Sequence, residues 1–231
     1  MAEAPQPSTT EPPDDRVLLE KFSEYREMCP SDPEDRIWAA VSEAFDMVGD
    51  GARTVASLEL ATAINPEWGR HRLQLAKAHI RKKEWMRAVS DLDRCADLDA
   101  SGCDSTFFAE NPLYYVGYAL WGQGLYKEAA EAWRGAANVV RYWRNLEPLK
   151  DFHLHRGWAY HLERDFLDAL ECYRRAMVAP GPGDTSEDDV MDFEQVEKAQ
   201  NQNRRIQVFH DMAKKGEVPD ASSLDAVAYT N

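Results

Sequence analysis

Apolar residues recur at steps of three and four along most of this chain, the period of helices that each bury one face. The first such stretch covers Asp15–Met28, with Val17, Leu18, Phe22 and Tyr25 on one side. Cys29-Pro-Ser-Asp-Pro33 interrupts it, because proline cannot continue a helix and instead sets up the next start. Near the other end, Phe193, Val196, Ala199, Ile206, Phe209 and Ala213 predict a long helix from about Glu187 to Lys215. Thr185 or Ser186 is the expected N-cap there, with Glu187, Asp188 and Asp189 favourable in the first turn. Lys214-Lys215-Gly216 makes a conventional end.

Between these helices the pattern repeats. Frames of 34 residues starting at Asp35, Gly69, Glu110 and Lys150 align on their eighth, twentieth and twenty-seventh positions. The eighth residues are Ser42, Ala76, Gly117 and Gly157; the twentieth are Thr54, Ala88, Ala129 and Ala169; the twenty-seventh are Ala61, Cys95, Ala136 and Ala176. All are small, as the crossing points of two closely packed antiparallel helices require. Large residues surround them, among them Leu58, Leu92, Trp133 and Tyr173 at the twenty-fourth position. Turns are expected at Val48–Gly51, Lys82–Glu84, Gln123–Leu125 and Glu163–Asp165. The unequal spacing of the starts leaves extra residues, Gly102–Ala109 before the third repeat and Arg144–Leu149 before the fourth.

This pattern resembles the tetratricopeptide repeat (TPR) family, over roughly Asp35 to Gly183. Leu113-x-x-Val116-Gly117 with Tyr126-Lys-Glu-Ala129, and Gly157-x-x-Tyr160 with Phe166-x-x-Ala169, carry the resemblance best; Trp38 and Asn65-Pro66 fit it in the first repeat. The fold class expected is all-α, a TPR-like solenoid of about four helix-turn-helix repeats with a long C-terminal capping helix. The organisation predicted is an acidic, Pro-rich disordered tail over 1–15 and an N-terminal helix with linker over 16–34. The repeat array follows over 35–183, then the capping helix over 184–216 and a flexible tail over 217–231.

Charge narrows the partners. Forty-one acidic against 27 basic residues give a net charge of −14, which repels phosphate backbones and anionic lipid. Nucleic acid is therefore not expected as a partner, and no apolar run approaches the ~20 residues of a membrane span. The four cysteines form no CxxC pair or dense framework, which points to a reducing compartment, with the cytoplasm the default location. A cilium or an organelle-associated complex is the alternative.

Little chemistry is legible. His153, His155 and His161 lie at spacings of two, six and eight, not the i,i+4 spacing that puts two ligands on one helix face. Gly122-Gln-Gly124 lacks the Lys-Ser/Thr of a phosphate loop, and no GxSxG elbow occurs. Neither an enzyme activity nor a metal nor a cofactor is expected.

The resemblance implies instead that first-helix positions two, five, nine and twelve line a concave groove for a partner peptide. Those positions are Arg36, Ala39, Glu43 and Asp46; then Arg70, Leu73, Lys77 and Ile80, with Arg81 beside them. The third repeat gives Asn111, Tyr114, Tyr118 and Trp121, and the fourth Asp151, Leu154, Trp158 and His161. Tyr114, Tyr118, Trp121 and Trp158 are expected to grip apolar side chains, and Arg70, Lys77 and Arg81 to pair with carboxylates. Trp121 and Trp158 could equally pack against the insertions or the C-terminal helix. The carboxylate clamp by which some family members hold the C-terminus of Hsp70 or Hsp90 is absent, since Ala39, Glu43 and Gln74 stand where its residues belong. The function implied is a non-enzymatic adaptor; the alternative is a stoichiometric structural subunit of a larger assembly.

Overall fold

The structure is a computed structural model that describes residues 15–100, 112–142, 149–179, 193–221 and 224. Its regular elements are all helices: α1 (Arg16–Met28), α2 (Glu34–Met47), α3 (Gly51–Ile64), α4 (Gly69–Arg81) and α5 (Trp85–Ala100). They continue as α6 (Pro112–Gly122), α7 (Tyr126–Tyr142), α8 (Leu149–Leu162), α9 (Phe166–Val178) and α10 (Phe193–Lys215). Four hairpins, α2–α3, α4–α5, α6–α7 and α8–α9, stack in sequence into an all-α helical-repeat solenoid. The expectations for residues 1–14, for most of the two insertions, for Asn111, for the segment from Pro180 to Asp192 and for residues 222, 223 and 225–231 of the tail lie outside the described residues.

Every hairpin closes by one local device. Gly49, Lys83, Gly124 and Arg164 have positive φ, each as the middle residue of a three-residue turn. The amide after each reaches back five residues: Asp50 to Phe45, Glu84 to His79, Leu125 to Leu120 and Asp165 to Tyr160, at 2.8–3.0 Å. This is the Schellman closure, which satisfies carbonyls that the helix end leaves open. Two copies use glycine for the left-handed residue and two accept the strain of Lys83 and Arg164. Asp50 and Asp165 then cap α3 and α9 by accepting from the amides of Arg53 and Asp168.

All twelve small positions of the repeat frame are buried. Their sizes also match the residue that crosses them. In the third and fourth repeats the twenty-fourth residue is the aromatic Trp133 or Tyr173, and the eighth is glycine. A Cβ on Gly117 would lie 2.3 Å from Trp133 Nε1, and one on Gly157 would lie 2.5 Å from Tyr173 Cε1. In the first two repeats Leu58 and Leu92 are smaller, and Ser42 and Ala76 keep a side chain. The indole that Gly117 admits is fixed in turn, its Nε1 donating to the Tyr114 carbonyl at 3.0 Å.

The first helices of successive repeats run parallel. Asp35 at the start of α2 meets His71 at the start of α4, and Asp46 near the end of α2 meets Arg81 at the end of α4. The same relation joins α8 to α10: Gln202 donates to Asp151 at 2.8 Å, Phe209 packs on Trp158, and His161 reaches the Glu217 carbonyl at 2.7 Å. Thus α10 takes the seat that a fifth first helix would occupy, and it ends the same way, with Gly216 at positive φ and Glu217 bonded to Met212. Ile206 and Ala213 are its buried side chains in the main core.

Gly117→Ala and Gly157→Ala should each lower stability by about 1–3 kcal/mol, because the neighbouring ring must leave its seat. Chemical denaturation followed by far-ultraviolet circular dichroism checks this, with Gly135→Ala, whose nearest neighbour is the flexible Leu113 side chain at 3.2 Å, as the milder control.

Candidate partner-binding face

The row of parallel first helices forms a ridge whose two halves differ in character. At the N-terminal half, α2 and α4 carry polar residues on facing sides. Asp35 is buried at their base. Burial would raise its pKa, but the Asn65 amide at 3.0 Å and the His71 ring at 3.1 Å outweigh it and hold the carboxyl below its ordinary range. Further along, Gln74 Nε2 approaches Glu43 Oε1 at 3.5 Å, and Arg81 donates to Asp46 at 2.7 Å. Lys77 lies over the Tyr115 ring with its ammonium 5.2 Å from the ring centre.

These side chains surround a recess of about 110 Å³, lined by Ser42, Glu43 and Asp46 of α2, Thr54 and Leu58 of α3, and Gln74, Lys77 and Arg81 of α4. One wall is acidic and the other basic. Helix α4 carries Arg70, Arg72, Lys77 and Arg81 and no carboxylate, an inversion of the chain's overall sign. Arg72 is spent on the structure, donating to the buried Asp91 at 3.2 Å; Arg70 is exposed.

The C-terminal half is filled, and here the structure corrects the sequence reading. Tyr118 and Trp158 have no exposed surface, Trp121 is 9% exposed and Tyr114 is half-buried. Tyr118 sits between α7 and α8, edge-on to Trp133, its hydroxyl bonded to that of Tyr114 and 3.4 Å from His155 Nδ1. Trp121 packs against Tyr126 and Trp133 inside its own repeat. Trp158 is covered by Phe209 of α10. Leu73, Ile80, Leu154 and His161, also expected in the groove, are buried as well. Aromatic side chains this large close the space between neighbouring first helices, so they build the core and do not present a face to a partner. The cationic residues are placed differently: Lys77 and Arg81 stand at the recess and Arg70 on the surface beside it.

The histidines have structural partners. His161 Nε2–H donates to the Glu217 carbonyl, so its Nδ1 accepts from the Tyr173 hydroxyl at 2.9 Å. His155 is surrounded by the rings of Tyr114, Tyr118, Trp133 and Trp158, and burial lowers its pKa to about 3. Among the described residues no group of three or more His, Cys, Asp or Glu is placed to hold a metal ion. Nor is any described helix long and apolar enough to cross a membrane.

The sequence reading placed Glu43 and Asp46 at groove-lining positions but gave them no binding role, and named Gln74 only where the clamp's residue is lacking. The signal that reveals them is the separation between contacting residues: Asp46–Arg81 and Glu43–Gln74 are 35 and 31 apart, close to one repeat. Side chains one repeat apart on first helices are neighbours, so such pairs mark where the ridge is polar.

No family model matches the chain, and no curated protein matches it. Among solved structures, the crystal structure of BtubC (BKLC) from P. vanneervenii is similar, with a TM-score of 0.59 over 87% of this chain and 88% of that one, at 13% identity. At this identity the likeness is one of fold.

The buried His155 makes stability depend on pH. Its folded pKa lies below the unfolded value of about 6.5, so the unfolded chain binds the extra proton first. Its contribution is complete above about pH 6.5 and is lost as pH falls toward 3. At pH 5 the loss from this group should be about 2 kcal/mol. Denaturation curves at pH 7 and 5 should therefore converge for His155→Phe relative to wild type.

Proposed function

We propose that the chain is a tetratricopeptide-repeat adaptor that docks a carboxylate-bearing, extended segment of a partner protein on the α2–α4 face. The observation that carries this reading is the recess between those helices, the part of the ridge that keeps charged side chains at an open surface. Lys77 and Arg81 balance Glu43 and Asp46 in the lining, and the exposed Arg70 adds a further cation on the same helix, in a chain whose net charge is −14. Carboxylates of an incoming segment are thus drawn to one place and repelled elsewhere, which favours selectivity and orientation.

The ion pair between Arg81 and Asp46 does not close the site. Asp46 is 44% exposed in its side chain, and exposed pairs of this kind contribute only about 0–1 kcal/mol. An incoming carboxylate exchanges for Asp46 on the guanidinium with little loss, and a bidentate arrangement on Arg81 is stronger than the single contact it replaces. Ser42 and Thr54 at the floor already donate to the Ala39 and Asp50 carbonyls at 2.6 and 2.9 Å, so toward the segment their hydroxyls act as acceptors.

The test uses labelled peptides of about twelve residues, rich in Asp/Glu, rich in Lys/Arg or neutral, against the full chain by fluorescence anisotropy. The acidic set should bind best, and Lys77→Glu with Arg81→Glu should weaken it at least ~10-fold, about 1.4 kcal/mol, with the helical signal unchanged. Equal binding of the three peptide classes, or an unaffected double variant, would refute the reading.

A further inference from the structure

The five Schellman closures emerge on one edge of the solenoid, because α2, α4, α6, α8 and α10 run parallel. Neighbouring turns touch: a Cβ on Gly51 would meet Lys82, and Gly122 lies against Trp85. This edge carries exposed apolar side chains in every repeat. Met47 is 88% exposed, Met86 72%, Leu125 41% and Leu167 82%. One such side chain per repeat makes a row along the edge, and rows of this kind gain from being covered.

The charges around them show what covers it. The second turn reads Lys82-Lys83-Glu84-Trp85-Met86-Arg87, three cations against one carboxylate. The fourth reads Glu163-Arg164-Asp165-Phe166-Leu167-Asp168, three carboxylates against one cation. The two segments hold the same places in their repeats, with the aromatic and exposed apolar positions kept and the charge reversed at two of them, Lys82 against Glu163 and Arg87 against Asp168. Between them the third turn is neutral, with Leu125 followed by Lys127 and Glu128. The edge is therefore self-complementary about the third repeat.

We infer that two copies of the chain associate through this edge, antiparallel, with a twofold axis at the α6–α7 turn. In that arrangement the second turn of each copy faces the fourth of the other, so Met86 meets Leu167 and the cationic segment meets the anionic one. Leu125 meets its own counterpart, and Lys127 of one copy meets Glu128 of the other. Such an isologous contact closes on itself and leaves no edge to propagate a fibre. The repulsion between two chains of −14 is screened over ~8 Å at physiological salt, whereas the paired turns act at contact.

Sedimentation velocity of the full chain from about 1 to 100 µM, followed by charge reversal, tests this. One variant, Lys82→Glu with Arg87→Glu, makes both inner turns acidic; the other, Glu163→Lys with Asp168→Lys, makes both cationic. Wild type should dimerise, and each variant alone should dimerise at least ~10-fold more weakly, while an equimolar mixture of the two restores the dimer. The mixture also controls for folding, since misfolded variants do not rescue each other. A monomeric wild type overturns the inference, as do variants that dimerise like wild type or a mixture that fails to recover.

Discussion

A helical hairpin can be no tighter than its crossing point allows, and in this protein that point is an exchange of volume between two positions. Where Trp133 and Tyr173 cross, the facing residue has no side chain; where Leu58 and Leu92 cross, Ser42 and Ala76 retain one. The sum at the crossing is held while its parts vary, as close-packed interiors demand. With helix separation fixed in each hairpin, the Schellman turns, the parallel row of first helices and the seat for α10 all follow. The indole admitted by Gly117 also anchors Tyr118 and borders His155, so the C-terminal core descends from one absent methyl group.

The same packing determines which part of the first-helix ridge stays open. Aromatic residues at the third and fourth repeats fill the space between first helices, and α10 covers what remains of Trp158. Shorter and charged residues at the first and second repeats do not fill it, and a recess survives there. The division into a polar open half and an aromatic closed half is a consequence of side-chain volume along one surface.

The hairpins were legible because the rule that selects small residues is steric and local. Ser42, Ala88 and Cys95 sit at their expected depth, and the turn at 82–84 falls where the pattern placed it. The site was less legible, and Tyr118 and Trp158 show why. Whether a ring on a first helix meets solvent depends on the angle between repeats and on what occupies the neighbouring seat. Neither is written in the repeat itself. Lys77 and Arg81 were easier to place, since a charged group is seldom buried without a partner and therefore tends to report the surface wherever it occurs. The left-handed conformations of Lys83 and Arg164 had no residue-type signal; only their equivalence to Gly49 and Gly124 reveals them.

Among the described residues the core is not one continuous body. Leu18, Ile37, Trp38, Val41, Phe45 and Ala61 form a cluster within α1–α3, apart from the large cluster that runs from α4 to α10. Between them lies a small group, Val55 and Leu58 of α3 with Leu75 and Ala78 of α4. A repeat array unfolds by losing neighbours in order of their interface strength, so this junction is where the chain should divide first. The recess opens across that same junction, with walls from α2 and α4. Anything held there bridges two bodies that otherwise share few apolar contacts. A ligand held in the recess would couple the two, and would be felt first as the fusion of two melting units into one.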